Sequence, residues 1–133
     1  MSLVLDTSAV LAFLNRADAG HVRVRGALLK EREPLVIPVG IMAEIGYLVE
    51  TRLGQHVLAL FLQDIAQGNF ALDCGLEDTL RVQALVERYA DMSLGYADAV
   101  VTACAERSGL RIISLDRRHL DIVNREIGFE LLP

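Results

Sequence analysis

The sequence is poor in the residues that build disulfide frameworks and zinc sites. Its 133 residues include two cysteines, Cys74 and Cys104, which form no Cys-x-x-Cys pair. Only three histidines are present, and no two of them have the spacing of zinc ligands on a helix. We therefore expect both cysteines to be small, buried apolar residues in a reducing compartment, and we expect no zinc site.

Long apolar segments are also absent. No apolar run approaches the roughly 18 residues that a membrane-spanning helix requires. The first apolar stretch, Leu3–Leu14, is interrupted by Asp6 and lacks the basic start of a signal peptide. The sequence thus favours a cytoplasmic protein. Because 53% of the residues are hydrophobic, the chain is predicted to fold rather than to be disordered.

Positive charge comes almost entirely from arginine. Lys30 is the only lysine beside 12 arginines, and 18 acidic residues bring the formal net charge to −5. This acidic balance argues against a protein that coats nucleic acid, which is usually basic. It also leaves no lysine to neutralise buried carboxylates, so an acid in an apolar segment needs another partner.

Short β-rich runs alternate with helical stretches along the whole chain. The predicted strands are Leu3–Leu5, Leu35–Ile37, Phe70–Leu72, Arg111–Leu115 and Phe129–Leu132. The first predicted helix is capped by Thr7 or Ser8 and ends near Leu14. The others are about His21–Glu31, Pro38–Leu53, Gln55–Gln67, Leu76–Tyr89 and Tyr96–Ser108. Ser93 lies near the cap of the last of these, and a short helical turn follows at His119–Asn124. This alternation predicts one α/β domain over residues 1–133, a three-layer α/β/α sandwich with a mainly parallel central sheet.

Two carboxylates follow predicted strands. Asp6 comes directly after the first strand, and Asp116 comes after the fourth. An acid in such a position often only caps the next helix or lies in a surface turn. However, the carboxyl ends of parallel strands share one edge of the sheet, which is where open α/β folds bind their ligands.

Two further carboxylates interrupt the apolar faces of predicted helices. Glu44 falls within a stripe of isoleucine and leucine residues at helical spacing, although a glutamate at the edge of such a stripe commonly reaches water. Asp98 is the only charged residue in the segment Ala97–Ala105. The helix dipole does not offset the cost of burying it, so we expect a cation or a cluster of donors opposite this side chain.

Together, the four acids come from strand ends and helices that can meet at one edge of the sheet. Three or four carboxylates match Mg²⁺ or Mn²⁺, which keep several waters of their own. The sequence therefore predicts a metal site formed by Asp6, Glu44, Asp98 and Asp116. A receiver-type phosphoacceptor domain fits less well because no acidic pair follows the first strand. An Asp-x-Asp phosphatase does not fit because position 8 is serine.

In its ordered set of acidic motifs, the chain resembles the PIN-domain family, and within it the VapC-type toxin ribonucleases of toxin–antitoxin pairs. The matching segments are Leu5–Ala9, Ala43–Ile45, Tyr89–Asp91, Ala97–Ala99 and Ser114–His119. The resemblance implies a PIN-like fold and a Mg²⁺- or Mn²⁺-dependent endoribonuclease, with the four acids as catalytic metal ligands and Asp6 and Asp98 as the most direct ones.

The resemblance also assigns the neighbours of these acids. Thr7 and Ser114 match small hydroxyl residues beside the acids, and Ser114 stands where many relatives have threonine. Asp91 matches an acid that is frequent in this subgroup, but we interpret it as a turn or cap residue. Asp121 is interpreted as a solvated helix residue.

The partners implied by the resemblance are an RNA substrate, a cognate VapB-like antitoxin that lies across the active-site groove, and a second copy in a homodimer. The helices over Val39–Leu62 could offer the antitoxin an apolar groove, or their side chains could pack within the monomer. Arg16, Arg117 and Arg118 are candidates for RNA phosphate contacts or for solvated surface residues. The alternative function is a catalytically silent PIN-like module that only binds RNA or protein.

Overall fold

A computed structural model describes all 133 residues and contains one sheet of five strands. The strands are β1 (Leu3–Leu5), β2 (Leu35–Pro38), β3 (Ala71–Asp73), β4 (Arg111–Ile113) and β5 (Glu130–Leu132). Their order across the sheet is β3-β2-β1-β4-β5, and every neighbouring pair is parallel. The chain thus winds outward in both directions from β1, so the carboxyl ends of β1 and β4 adjoin at a topological switch point.

Seven helices cover the sheet. They are α1 (Thr7–Leu14), α2 (His21–Lys30), α3 (Met42–Leu53), α4 (Gln55–Ala66), α5 (Thr79–Arg88), α6 (Tyr96–Ser108) and α7 (Arg118–Ile127). Helix α6 packs along β1, β2 and β4 and also contacts α5 and α7, while α1 contacts α2 and α3, and α3 contacts α4. This arrangement confirms the predicted α/β fold with helices around a parallel sheet. No helix is both long and apolar enough to cross a bilayer.

Helix α6 packs closely on the sheet because most of its buried side chains are small. The buried residues are Ala99, Val101, Thr102, Ala103, Cys104 and Ala105. Short side chains let the helix approach the strands, whose own residues Leu3–Leu5 are fully buried beneath it. The packing carries the first turn of α6, including Asp98, to the edge where β1 ends.

Two boundaries near the candidate site differ from the sequence prediction. Strand β4 ends at Ile113 rather than Leu115 because the Leu115 N–H donates to Ser8 Oγ at 2.9 Å, which takes the backbone out of the sheet. Helix α7 runs for 10 residues, well beyond the short turn that was predicted. It continues because Leu120 and Val123 are buried, and it ends where Gly128 adopts a left-handed conformation with φ of 78°.

Smaller corrections concern β3, α3 and the cysteines. Strand β3 begins one residue later than predicted, and α3 begins at Met42 after a 3₁₀ turn that follows Pro38. Cys104 is buried as predicted, but Cys74 is exposed because it follows β3 at the edge of the sheet. Both thiols are free.

Candidate functional site

Asp6 is the buried centre of the site. It directly follows β1, and its carboxylate Oδ1 accepts hydrogen bonds from the Ala9 N–H at 2.9 Å and from Ser8 Oγ at 2.7 Å. Its other oxygen accepts a hydrogen bond from Ser114 Oγ. Asp6 is therefore the N-cap of α1, which corrects the prediction that Thr7 or Ser8 has this role.

Two serines join the ends of β1 and β4 through this carboxylate. Ser8 donates to Asp6 and accepts the N–H of Leu115, while Ser114 donates to Asp6 and accepts the N–H of Asp116 at 3.0 Å. Both hydroxyls thus donate to the Asp6 carboxylate and accept from backbone N–H groups of the segment after β4, and the two oxygens lie 3.3 Å apart. Ser114 was predicted to lie beside the acids, whereas Ser8 was considered only as a cap.

Burial raises the pKa of Asp6 to about 6, although the hydrogen bonds from Ser114, Ala9 and Ser8 oppose that shift. The negative charge of Asp98 raises this pKa further. Only 7% of Asp6 is exposed, and no cationic side chain contacts it. The ionised form therefore carries a desolvation cost that its hydrogen bonds offset only in part and that a bound cation would offset further.

Asp98 lies in the first turn of α6, and its Oδ2 is 3.2 Å from Nδ1 of His119. Burial raises the pKa of Asp98 and the charge of Asp116 acts in the same direction, while His119 opposes both. Sequence reasoning expected a cation or donors opposite Asp98 but did not identify His119. The histidine stands in the segment Ser114–His119, but nothing in that motif shows that it reaches across to α6.

Glu44 and Asp116 lie at the rim of the site. Glu44 is in the first turn of α3 and is exposed, so it stands at the edge of the apolar stripe rather than within it. The Asp116 side chain is 62% exposed, and Arg118 Nε is 3.9 Å from its Oδ1. An ion pair at this distance between exposed side chains contributes little. Burial therefore divides the four acids into an inner pair, Asp6 and Asp98, and an outer pair.

All four acids line one cavity of about 270 Å³. The other lining residues are Thr7, Ser8, Ser93, Gly95, Ala97, Val101 and His119, and none of them is lysine or arginine. Thr7 Oγ1 is buried and has no hydrogen-bond partner. No three histidine, cysteine or acidic side chains form a compact group of direct metal ligands. An unpaired hydroxyl beside separated carboxylates fits a cation that retains its own water ligands.

Most of the remaining predicted residues lie outside this cavity. Arg16 is exposed just after α1, and Arg118 is exposed at the start of α7. Arg117 donates from Nη2 to the carbonyl oxygens of Leu131 at 3.2 Å and Pro133 at 3.3 Å, so its guanidinium is engaged by the end of the chain. Asp91, in a 3₁₀ turn, and Asp121, on α7, are exposed. Ser93 does line the cavity; it has φ of 56°, and Gly95 rather than Ser93 is the N-cap of α6.

A family model for the PIN domain matches residues 3–125. This chain belongs to the PIN-domain family. It is also 34% identical to Ribonuclease VapC26 of Mycobacterium tuberculosis (strain ATCC 25618 / H37Rv), over 98% of this chain and 100% of that protein. The family resemblance inferred from the acidic motifs is confirmed.

Solved structures show the same PIN-like fold. Mycobacterium tuberculosis VapC20, a sarcin-ricin loop cleaving toxin, matches with a TM-score of 0.79 at 16% identity, over 98% of this chain and 99% of that one. VapBC2 from Rickettsia felis, bound to a DNA fragment from their promoter, matches with a TM-score of 0.70 at 17% identity, over 98% and 97% of the two chains. These likenesses confirm the predicted fold class.

Proposed function

We propose that this PIN-domain protein is a metal-dependent endoribonuclease and the toxin of a type II toxin–antitoxin pair. The single observation that carries the proposal is the cavity where Asp6, Glu44, Asp98 and Asp116 meet without an arginine or lysine. Support comes from the full-length similarity to a protein named as a VapC ribonuclease. The reaction is hydrolysis of an RNA phosphodiester bond.

The residues present fit Mg²⁺ or Mn²⁺. Asp6 and Asp98 would hold the ion most directly, while Glu44 and Asp116 would act at the rim through its waters. The buried hydroxyl of Thr7 would hydrogen-bond to one of those waters. When bound, such an ion lowers the pKa of a coordinated water and neutralises charge on the phosphate that is attacked.

The protein's own contribution is to hold the inner carboxylates in one orientation. Ser8, Ala9 and Ser114 fix Asp6 from three directions. His119 holds Asp98 Oδ2 through Nδ1, which leaves the other carboxylate oxygen for a ligand. His119 is thus proposed as a positioning residue, in the manner of the outer partners that orient metal-ligating side chains.

The partners are an RNA and a VapB-like antitoxin. Arg16 and Arg118 are exposed and are proposed to contact RNA phosphates, whereas Arg117 is engaged by backbone carbonyls. Apolar side chains are exposed on α3 and α4, including Tyr47, Leu60 and Leu62, and this face is proposed to receive the antitoxin. We further propose that the protein is cytoplasmic, where its substrate lies, and that it forms a homodimer.

Cleavage of RNA with and without divalent ions tests this proposal. We expect the wild-type protein to cut single-stranded RNA in Mg²⁺ or Mn²⁺ and to be inactive in EDTA. Asp98→Asn should lower the cleavage rate by about 1000-fold, because it removes a charged group from the metal site. Asp121→Asn is the matched control, since Asp121 is an exposed aspartate outside the cavity and should leave the rate unchanged.

The alternative of a silent binding module predicts a different result. Such a protein would bind RNA with an affinity independent of Mg²⁺ and would leave it uncut under every condition. Cleavage that persists in EDTA, or that is equal in wild type and Asp98→Asn, would contradict the metal-dependent mechanism.

A further inference from the structure

A second cavity adjoins the acidic one. Its volume is about 410 Å³, and it shares two lining residues, Ser8 and Asp116, with the cavity that holds the four acids. The two cavities therefore meet along the boundary formed by the ends of β1 and β4. A polymer whose phosphate reaches the acids needs room for its next residue, and this cavity is the adjacent space.

Helix α3 runs beside both cavities. Glu44 in its first turn lines the acidic cavity, and Arg52 in its last turn lines the second one. They are eight positions apart, which at ~1.5 Å per residue corresponds to about 12 Å along the helix axis. The helix thus presents a carboxylate at one end of the combined space and a guanidinium at the other.

Arg52 is the only arginine or lysine that lines either cavity. Its side chain is exposed and forms no salt bridge within the chain. By contrast, Arg81, Arg88, Arg107 and Arg111 each pair with an acid within 3.1 Å. A guanidinium left free beside a cavity is available for a phosphate, which it recognises with parallel N–H donors.

The other walls of the second cavity suit a nucleoside. Leu11, Leu53 and Leu115 supply an apolar surface for a ribose or a base. Asn15 also lines the cavity, and its Oδ1 accepts the Ala17 N–H at 3.0 Å. That contact orients the side chain so that its amide NH₂ group remains free to donate to a ligand.

From these observations we infer that the second cavity binds the RNA nucleotide next to the scissile phosphate, with Arg52 pairing with the neighbouring phosphate. The inference rests on the proposed ribonuclease function and adds a substrate subsite to it. A peptide segment of an antitoxin is the other candidate occupant. The observations favour RNA, because the cavity is continuous with the acids and its only cationic side chain, Arg52, has the sign that complements a phosphate. Of the two acids in its lining, Asp116 is shared with the acidic cavity and Asp18 accepts the Gly20 N–H at 2.7 Å.

The test measures RNA binding in the Asp98→Asn background, in which slow cleavage should leave the substrate intact during the measurement. Three proteins are compared: the parent, the parent with Arg52→Gln, and the parent with Arg25→Gln. Arg25 is an exposed arginine on α2 that lines neither cavity, so it matches the change in net charge. Affinity for a labelled single-stranded RNA is measured by fluorescence anisotropy over a range of salt concentrations.

We expect Arg52→Gln to lower the slope of log affinity against log salt by about one unit, and Arg25→Gln to leave that slope unchanged. Equal slopes for the parent and Arg52→Gln would overturn the subsite. So would a loss of antitoxin binding in Arg52→Gln with RNA binding intact.

These results are separable from the proposed function. If the wild-type protein cleaves RNA in Mg²⁺ but Arg52→Gln binds as the parent does, only the subsite is wrong. If the parent binds no RNA and the wild type cuts none, both proposals are contradicted. Melting of the wild-type and Arg52→Gln proteins in Mn²⁺ supplies a further control, and both should be stabilised equally because Arg52 does not line the acidic cavity.

Discussion

Two groups of acids lie on this fold, and they are neutralised in different ways. One group, Asp73, Glu77 and Asp78 near the end of β3, surrounds Arg107, whose nitrogens lie within 3.1 Å of all three carboxylates. The other group, at the ends of β1 and β4, has no arginine or lysine within its cavity. Acids that are paired within the chain stabilise it, whereas acids without a cation are available for a ligand.

The pKa values follow this division. At Asp73, burial alone would raise the pKa, but hydrogen bonds from Arg107 and Cys104 lower it below its ordinary value. At Asp6, burial prevails over three hydrogen bonds from neutral groups and raises the pKa to about 6. At Asp6 the neutral donors thus offset only part of the cost of burying the charge, whereas at Asp73 the Arg107 guanidinium helps to offset that cost in full.

Breaking the paired group should cause the largest loss of stability. Arg107→Met leaves Asp78, a buried residue, without its two charged hydrogen bonds of 2.6 and 2.7 Å. We expect the free energy of unfolding to fall by about 3 kcal/mol, measured by chemical denaturation. Arg81→Met is the control, because the Arg81–Glu106 pair is more exposed and should cost about 1 kcal/mol or less. Equal losses would contradict the structural role of the Arg107 group.

The acids at the ends of β1 and β4, which no arginine or lysine neutralises, should make stability depend on pH. Because the pKa of Asp6 is about 6 in the folded protein and 3.8 in the reference state, the folded state retains this proton to higher pH than the unfolded state. The free energy of unfolding of the metal-free protein should therefore fall by about 2–3 kcal/mol from this group as pH rises from about 4 to about 6.

Asp6→Asn isolates this contribution, since the asparagine still caps α1 but does not titrate. Denaturation in EDTA at pH 4 and at pH 7 should show a smaller loss of stability in Asp6→Asn than in the wild type. Equal losses of free energy in the two proteins over this interval would contradict the raised pKa of Asp6.

Part of this site follows from the sequence on physical grounds. Asp6 and Asp116 were expected to lie close together because the ends of adjacent parallel strands share an edge, and both line the same cavity. The periodicity of α3 put Glu44 within an apolar stripe and left open whether its side chain reaches water at the edge; in the structure Glu44 is exposed. Helical periodicity locates the apolar face only to within about one residue, so it cannot distinguish a position at the border of that face from one at its centre.

What the sequence did not show depends on contacts between distant elements. His119 lies 21 positions after Asp98 in the sequence and contacts it because α7 packs against α6. Helix α7 itself was predicted only as a short turn. Ser8 was predicted only as a helix cap. Its hydrogen bond from the Leu115 N–H could not be predicted, because it depends on the register of β1 and β4. Arg52 had no local feature that distinguished it from the other arginines, and only the adjoining cavities single it out.

A smaller effect is expected where His119 contacts Asp98. His119→Phe keeps a ring against Tyr89, Leu94 and Val123 but removes the donor, and it should weaken Mn²⁺ binding by about 10–100-fold. His119→Asn keeps a donor near the position of Nδ1 and should retain most of the affinity. Isothermal titration of Mn²⁺ into both variants measures this difference. Tighter binding in His119→Phe would show instead that the histidine competes with the ion.

The central claim is that the four acids require a positive ion, and thermal melting of the wild type and Asp98→Asn with increasing Mn²⁺ tests it most directly. In EDTA, Asp98→Asn should melt above the wild type, because one buried charge and its repulsion with Asp6 are gone. At about ten times its dissociation constant, Mn²⁺ should raise the wild-type melting temperature by about 5 °C and leave that of Asp98→Asn nearly unchanged. A wild-type melting temperature that does not move in millimolar Mn²⁺ would contradict the account.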